Sequence, residues 1–255
     1  MKFYNDFIGN DERNTTLRFI GGDLEVQFKK NAPTQPDDWY YHTTEITYSF
    51  NDNGHRCKKF EDINQDNYIL FIGCSHTMGV GLELEKSYPY LLSKELKMDY
   101  YNLAIPATGM DIVEYNLLMW LFKIPKKPKL VVIQWPDPSR FAEYDQVRNN
   151  ILGRGSWQQL ESKYMSLIAN AEDTGMENAR KAITHNLLKN NINVPMITFN
   201  FGSQKGYGIY DLGMMRIDRA RDLAHAGIKS HAKFTETLLN HIEVNRLVKQ
   251  DKYGI

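Results

Sequence analysis

YILFIGCSHTMGVG, residues 68–81, is the stretch of sequence that decides how this chain folds. Its first five residues form an uninterrupted apolar run, which is typical of a strand covered by helices on both faces of a sheet. A glycine-rich turn follows and leads into a segment of helical character. A strand, a tight turn and a helix in this order form the first half of a βαβ unit.

The same alternation continues to the end of the chain. Further apolar runs of strand length lie at 100–104, 130–135 and 195–201, and helices are predicted at 83–97, 111–122, 157–171, 175–190 and 229–248. Strands that alternate with helices build parallel sheets with right-handed crossovers. We therefore predict a three-layer α/β/α, flavodoxin-like fold with a parallel sheet for residues 67–255.

Residues 1–66 have a different character from the rest of the chain. They are polar, aromatic and turn-rich, with short β-prone runs such as 45–50 that end in Asn-Asp-Asn-Gly. The total length of 255 residues is sufficient for one main core and a small appendage. We expect an irregular, β-leaning N-terminal extension ahead of one α/β domain.

The composition argues against several classes of protein. The chain has 31 basic and 31 acidic residues, so it lacks the positive charge of a typical nucleic-acid binder. No apolar stretch approaches the roughly 18 residues of a membrane span. The start of the chain has no basic region followed by an apolar core, so we expect a cytoplasmic location, alone or within a larger assembly. The sequence leaves the oligomeric state open.

The two cysteines, Cys57 and Cys74, fit a reducing compartment better than a disulfide scaffold. His55-x-Cys57 and Cys74-x-His76 each place two metal-capable side chains on one side of an extended strand. Structural zinc pairs usually leave about two to four residues between ligands, which makes metal binding a weak alternative. We predict no metal and no cofactor.

Ser75 is the first candidate for chemistry, because ligands of open parallel sheets bind beyond the carboxyl ends of the strands. A nucleophilic serine needs a base and a group that orients the base. Asp222 and His225 follow the last predicted strand, and their spacing can direct both side chains to one point. We predict a Ser75, His225 and Asp222 triad, with a helix-capping role as the alternative for Ser75. His76 and His231 are expected in structural or exposed positions.

These segments resemble the sequence blocks of the SGNH (GDSL-type) hydrolases. The family's Gly-Asp-Ser block is similar to GCS at 73–75, and its Asp-x-x-His block is matched by DLAH at 222–225. The segment ITYSFNDNGHR at 46–56 resembles the N-x-x-G-[FH]-R segment that precedes many such domains. The resemblance implies a cofactor-free serine hydrolase of a small carboxylic ester, with an O-acetyl group on a carbohydrate as one candidate.

The second family block, usually Asn-Leu-Gly-x-x-Gly, is similar to NLAIPATG at 102–109. In the family this block donates a backbone N–H to the oxyanion. The resemblance therefore assigns that donor to Ala107, with Gly109 as the fallback, beside the N–H of Ser75.

The third family block, usually Gly-x-Asn-Asp, is replaced by WPDPSR at 135–140, which contains no asparagine. Loss of one oxyanion donor costs about 100- to 1,000-fold in turnover. Ser139 or Arg140 could substitute, whereas an ionised Asp137 only accepts hydrogen bonds. The alternative hypothesis is a non-catalytic protein of the same fold that binds glycan or serves as a structural or interaction component.

Aromatic and basic residues near these blocks are candidates for substrate binding. Trp135 could stack on a sugar ring or fill the edge of the core. Tyr207 and Arg216 lie in the loop 202–221 ahead of the last block and could hold a polar, sugar-like ester. An ordinary solvated loop is the equal alternative.

Overall fold

The secondary structure alternates strands and helices from residue 68 onwards. The structure is a computed structural model that describes residues 1–4, 6–137, 140–145, 150–154, 183–184, 186–202 and 210–248. The strands are β1 (Lys2–Tyr4), β2 (Phe7–Gly9), β3 (Thr16–Leu17), β4 (Tyr48–Ser49), β5 (Tyr68–Ile72), β6 (Asp99–Asn102), β7 (Leu130–Gln134), β8 (Phe141–Asp145), β9 (Asn150–Arg154), β10 (Met196–Phe201) and β11 (Leu212–Met214). The α-helices are α1 (Glu25–Asn31), α2 (Ser75–Met78), α3 (Tyr88–Leu96), α4 (Met110–Lys123) and α5 (Ile228–Val244), and residues 186–191 are also helical.

The central sheet has five parallel strands in the order β6-β5-β7-β10-β11. Counted along the chain this order is 2-1-3-4-5, which is the flavodoxin-like arrangement. The predicted three-layer α/β fold is confirmed. The sequence prediction missed β11, because three residues are too few to produce a recognisable apolar run.

Both faces of the sheet are buried because successive side chains of a strand point to opposite sides. In β5, Leu70 and Ile72 pack into one core with Leu117 and Trp120 of α4. The intervening residues of β5 pack into a second core with α3 and α5. The uninterrupted apolar run at 68–72 therefore reflects a strand with a helical layer on each face.

The helix boundaries differ modestly from those predicted. The segment predicted as one helix at 83–97 begins with a short 3-10 turn, and α3 starts only after Ser87, whose backbone is extended. The helix α4 ends at Lys123, shortly before Pro125, as the prediction required. The predicted helix 157–171 lies outside the described residues, as does most of the one predicted at 175–190. No helix in the described part of the chain is long and apolar enough to span a membrane.

The N-terminal residues pack directly on the α/β layers. Tyr48 and Phe50 lie in a buried cluster with Met78, the last residue of α2, and with Val80 in the turn that follows α2. A second contact joins β2 to α4, where the Asn116 side chain bonds both the N–H and the carbonyl of Ile8. The N-terminal segment therefore reaches the end of the sheet at which ligands are expected.

Candidate active site

Ser75 lies directly after β5, as the first residue of the short helix α2, and is 6% exposed. The turn before it needs a glycine, since a Cβ atom on Gly73 would lie 2.5 Å from the hydroxyl oxygen of Thr77 and 2.6 Å from the Cβ of Gln134. The backbone N–H and the hydroxyl of Thr77 both donate to the Gln134 side-chain oxygen, at 3.1 and 2.6 Å. The end of β7 thus holds the helix that carries Ser75.

Arg56 fixes the other side of the turn at 73–81 that carries Ser75, which we call the nucleophile turn after the predicted role of Ser75. The chain turns back after α2 through Gly79, whose φ of 78° lies in the left-handed region that favours glycine. The Arg56 guanidinium donates to the carbonyls of Gly79 at 2.7 Å, Leu82 at 2.8 Å and Met78 at 3.3 Å, and to that of Thr47 at 2.8 Å. It is 1% exposed, and burial lowers its pKa. The NGHR motif contained this residue, but the sequence alone did not reveal its contacts.

The Asp222–His225 motif forms a tight loop. One oxygen of the Asp222 carboxylate accepts the N–H groups of Ala224 at 3.2 Å and His225 at 3.1 Å. The N–H of Ala220 donates to the carbonyl of His225 at 3.1 Å and closes the loop. Folded this way, the motif directs both side chains toward the end of β5.

A continuous hydrogen-bonded chain joins the three predicted triad residues. The His225 Nε2 atom lies 2.8 Å from the Ser75 hydroxyl oxygen, and His225 Nδ1 contacts the second oxygen of Asp222. The Asp222 side chain is 1% exposed and that of His225 is 17% exposed. With the Nδ1 proton donated to the carboxylate, Nε2 is free to accept the serine proton. The arrangement can raise the nucleophilicity of Ser75.

His76 is buried beside this chain. Its ring stacks on Phe201 with 3.9 Å between centroids and meets the His225 ring edge-on at 5.0 Å. Burial and neighbouring positive groups hold the pKa of His76 well below its usual range, so it adds no charge next to His225. His231 is also buried, accepts the Tyr88 N–H at 3.0 Å and has a pKa lowered to about 3 by burial.

The second block lies beside the nucleophile turn. The Asn102 amide donates to the carbonyl of Thr77 at 2.9 Å, and the N–H of Ile105 donates to the carbonyl of Gly73 at 3.1 Å. Ala107 has a φ of 56°, which is the left-handed region. This is the position at which the family has glycine, and its backbone conformation accounts for that preference.

The third block borders a cavity of about 110 Å³ next to the nucleophile turn. The residues that line it include Cys74, His76, Trp135, Asp137, Arg140 and Asn200. Trp135 is 2% exposed and packs mainly in the core of the sheet, so most of its ring is not available for stacking on a substrate. Asp137 is exposed and Arg140 is half-buried. Ser139 lies outside the described residues.

Of the two remaining substrate-binding candidates, Tyr207 lies outside the described residues. Arg216 is exposed and donates to the carbonyl of Ala224 at 2.8 Å, so that it braces the Asp222–His225 loop.

The metal-binding alternative included His55 and Cys57. The structure shows His55 in contact with Tyr101, and Cys57 in contact with Asn102. Within the described ranges, no group of three or more His, Cys, Asp or Glu side chains is placed to hold a metal ion.

Comparison with known proteins gives matches among solved structures. An acetyl xylan esterase (Est2A) from the rumen bacterium Butyrivibrio proteoclasticus is similar over 70% of this chain and 64% of that chain, with 13% identity and a TM-score of 0.45. A family two carbohydrate esterase from Clostridium thermocellum is similar over 71% and 64%, with 14% identity and a TM-score of 0.43. TesA is similar over 69% and 98%, with 17% identity and a TM-score of 0.40.

The matched region therefore spans less than two thirds of the length of either carbohydrate esterase. No model of a known protein family matches the chain. No curated protein matches it either. The first block directly follows β5, and the last block lies in the connection between β11 and α5.

Proposed function

We propose that this chain is a serine ester hydrolase that acts through a covalent acyl-enzyme. The observation that carries the proposal is the hydrogen-bonded chain from Asp222 through His225 to Ser75, with 2.8 Å between His225 Nε2 and the Ser75 hydroxyl oxygen. A serine, a base within hydrogen-bond reach and a buried carboxylate that orients the base are the parts that acyl transfer requires.

In the proposed mechanism the Ser75 hydroxyl oxygen attacks the ester carbonyl while His225 Nε2 takes the hydroxyl proton. Asp222 stabilises the imidazolium that forms. Collapse of the tetrahedral intermediate breaks the bond to the alcohol, which receives the proton from His225 and leaves an acyl group on Ser75. Water then attacks the acyl group with His225 as base, and the acid departs.

The oxyanion of the intermediate needs hydrogen-bond donors. Among the described residues the N–H groups of Ser75, Ala107 and Gly109 have no protein acceptor, which supports their proposed role as donors. Arg140, on the rim of the adjacent cavity, is the proposed substitute for the missing asparagine, because a guanidinium donates and carries a positive charge. Ser139 remains the other candidate from the sequence.

The proposed substrate is a small carboxylic ester, with an acetyl group on a carbohydrate hydroxyl as one candidate. A cavity of about 110 Å³ lies next to the nucleophile turn and is lined by Cys74 and His76, the two chain neighbours of Ser75. The polar groups that line the cavity favour an oxygen-rich substrate over a long apolar chain. The carbohydrate part of the proposal rests on the sequence resemblance.

Non-catalytic binding of a glycan is the second candidate function. It is favoured by Asp137, which is exposed, lines this cavity and lies in the block where the sequence resemblance implies a hydrogen-bond donor. A carboxylate there would repel the developing negative charge of an oxyanion while still accepting hydrogen bonds from sugar hydroxyls.

The test is acetate release from p-nitrophenyl acetate together with labelling by a fluorophosphonate probe. The wild-type chain is expected to do both, and Ser75→Ala is expected to do neither. Ser93→Ala is the matched control, since Ser93 is a buried serine of α3 whose hydroxyl donates to the Tyr90 carbonyl. Equal labelling of wild type and Ser75→Ala would refute the hydrolase and leave the binding function as the better explanation.

A further inference from the structure

We propose that Asp23, in the N-terminal segment, is a positioning residue for the Asp222–His225 pair and acts through Arg221; the inference rests on the proposed function. Asp23 ends a tight turn that begins at Ile20, in which the two residues exchange backbone hydrogen bonds at 3.0 and 3.3 Å. Its side chain is 1% exposed. Neither the composition nor the motifs of the first 66 residues indicate such a role.

The Asp23 carboxylate forms a buried ion pair with Arg221. Arg221 Nη2 lies 2.6 Å and Arg221 Nε lies 3.1 Å from the same carboxylate oxygen of Asp23. The Arg221 side chain is 4% exposed. By contrast, both partners of the pair Lys126–Asp66 are more than half exposed. A buried ion pair with this geometry fixes the positions of both side chains, whereas an exposed pair does not.

Further contacts turn this ion pair into a closed ring that joins three segments. The Tyr48 hydroxyl donates to Asp23 at 2.5 Å and accepts the N–H of Gly81 at 2.8 Å. The carbonyl of Gly81 accepts the backbone N–H of Arg221 at 3.1 Å. This ring therefore ties the N-terminal turn to the nucleophile turn and to the loop that carries Asp222 and His225.

The ring lies against the proposed catalytic groups. Arg221 directly precedes Asp222, so that a shift of its backbone moves the carboxylate that orients His225. A Cβ atom on Gly81 would lie 3.2 Å from Asp222 Oδ1, and one on Gly22 would lie 3.7 Å from His225 Cε1. The turn that ends at Asp23 thus forms one wall of the site and holds the pair in place.

The experiment is the isosteric substitution Asp23→Asn, which removes the charge and keeps the shape. Because a displacement of about 1 Å at a reacting group costs about 100-fold in rate, we expect kcat to fall about 100-fold with KM little changed. Asp66→Asn, at the exposed ion pair, is expected to leave kcat unchanged. A kcat of Asp23→Asn equal to that of wild type would overturn the proposal.

A double-substitution cycle tests whether Asp23 acts through Arg221. The two residues share one interaction, so the kcat of Asp23→Asn/Arg221→Gln should be close to that of the worse single variant. Losses that multiply would overturn the proposed route. Tyr68→Phe controls for stability, since it removes buried contacts to Trp120 and Lys126 at the opposite end of β5 and should lower the melting temperature without lowering kcat.

A spectroscopic readout separates this proposal from the proposed function. The proton between His225 Nδ1 and Asp222 should give a low-field resonance in wild type, and Asp23→Asn should broaden or abolish it, with or without ester turnover. If the wild-type chain fails to turn over esters but shows this difference, positioning by Asp23 holds and the hydrolase proposal fails. An identical resonance in both proteins would overturn the positioning role.

Discussion

Replacement of Arg56 by methionine removes the guanidinium that holds the nucleophile turn and leaves a shorter, unbranched apolar side chain. Three of the hydrogen bonds lost are 2.8 Å or shorter, to the carbonyls of Gly79, Thr47 and Leu82. Hydrogen bonds to a charged group contribute about 1.5 kcal/mol or more each, which gives about 4.5 kcal/mol for the three.

A smaller contribution opposes this loss. The Nε atom of Arg56 is buried and has no hydrogen-bond partner among the described residues. An unsatisfied buried donor costs about 1–3 kcal/mol, and methionine removes it. The expected net decrease in the free energy of unfolding is therefore about 3 kcal/mol, which urea denaturation measures. We also expect fluorophosphonate labelling of Ser75 to slow by about tenfold or more, because the turn that positions it loosens.

Arg18→Met is the matched control for this experiment. The Arg18 side chain is 69% exposed and pairs with Glu45 at the surface, so its loss should change the free energy of unfolding by at most about 0.5 kcal/mol. If Arg56→Met unfolds at the same urea concentration as wild type and labels at the same rate, the four carbonyl contacts do not hold the turn and the reasoning is refuted.

Three further predictions concern stability. Ala107→Gly should raise the free energy of unfolding by about 0.5 kcal/mol, because alanine holds a φ of 56° there; a lower urea midpoint would contradict this. Gln134→Leu removes the acceptor of two Thr77 donors and should lower the free energy of unfolding by about 1–3 kcal/mol. An unchanged melting temperature would show that these hydrogen bonds contribute nothing to stability. Burial lowers the pKa of His55 to about 4 and of His231 to about 3. The unfolded chain therefore binds more protons below about pH 6.5, and the two groups should together lower the free energy of unfolding by about 2.5 kcal/mol between about pH 7 and about pH 5.5. If urea denaturation shows the same decrease when both histidines are replaced by asparagine, other groups are responsible.

Much of the fold could be predicted because its signals are local. The run at 68–72 is apolar at every position, and a strand between two helical layers requires this. The strand β11 escaped prediction because it has three residues and obtains its stability by pairing with β10. Helix ends were displaced where a single residue, such as Ser87, takes an extended conformation that no periodicity reveals.

The candidate site, like the fold, could be predicted from the sequence only in part. Ser75, Asp222 and His225 could be identified from the sequence because each lies in a short motif whose spacing is itself the signal. Trp135 could not be placed from the sequence, since stacking on a substrate and packing in the core require the same residue type. The structure assigns most of its ring to the core.

The sequence by itself determined the alternation of strands and helices and the chemical groups at the strand ends, because periodicity and motif spacing act over a few residues. Only the tertiary structure decided which distant groups support them. Asp23 and Arg221 are 198 positions apart, and their pairing depends on how the N-terminal turn docks on the sheet. Arg56 likewise bonds carbonyls that converge only after the nucleophile turn has folded. Such contacts leave no periodic signal in the sequence, because nothing local requires them.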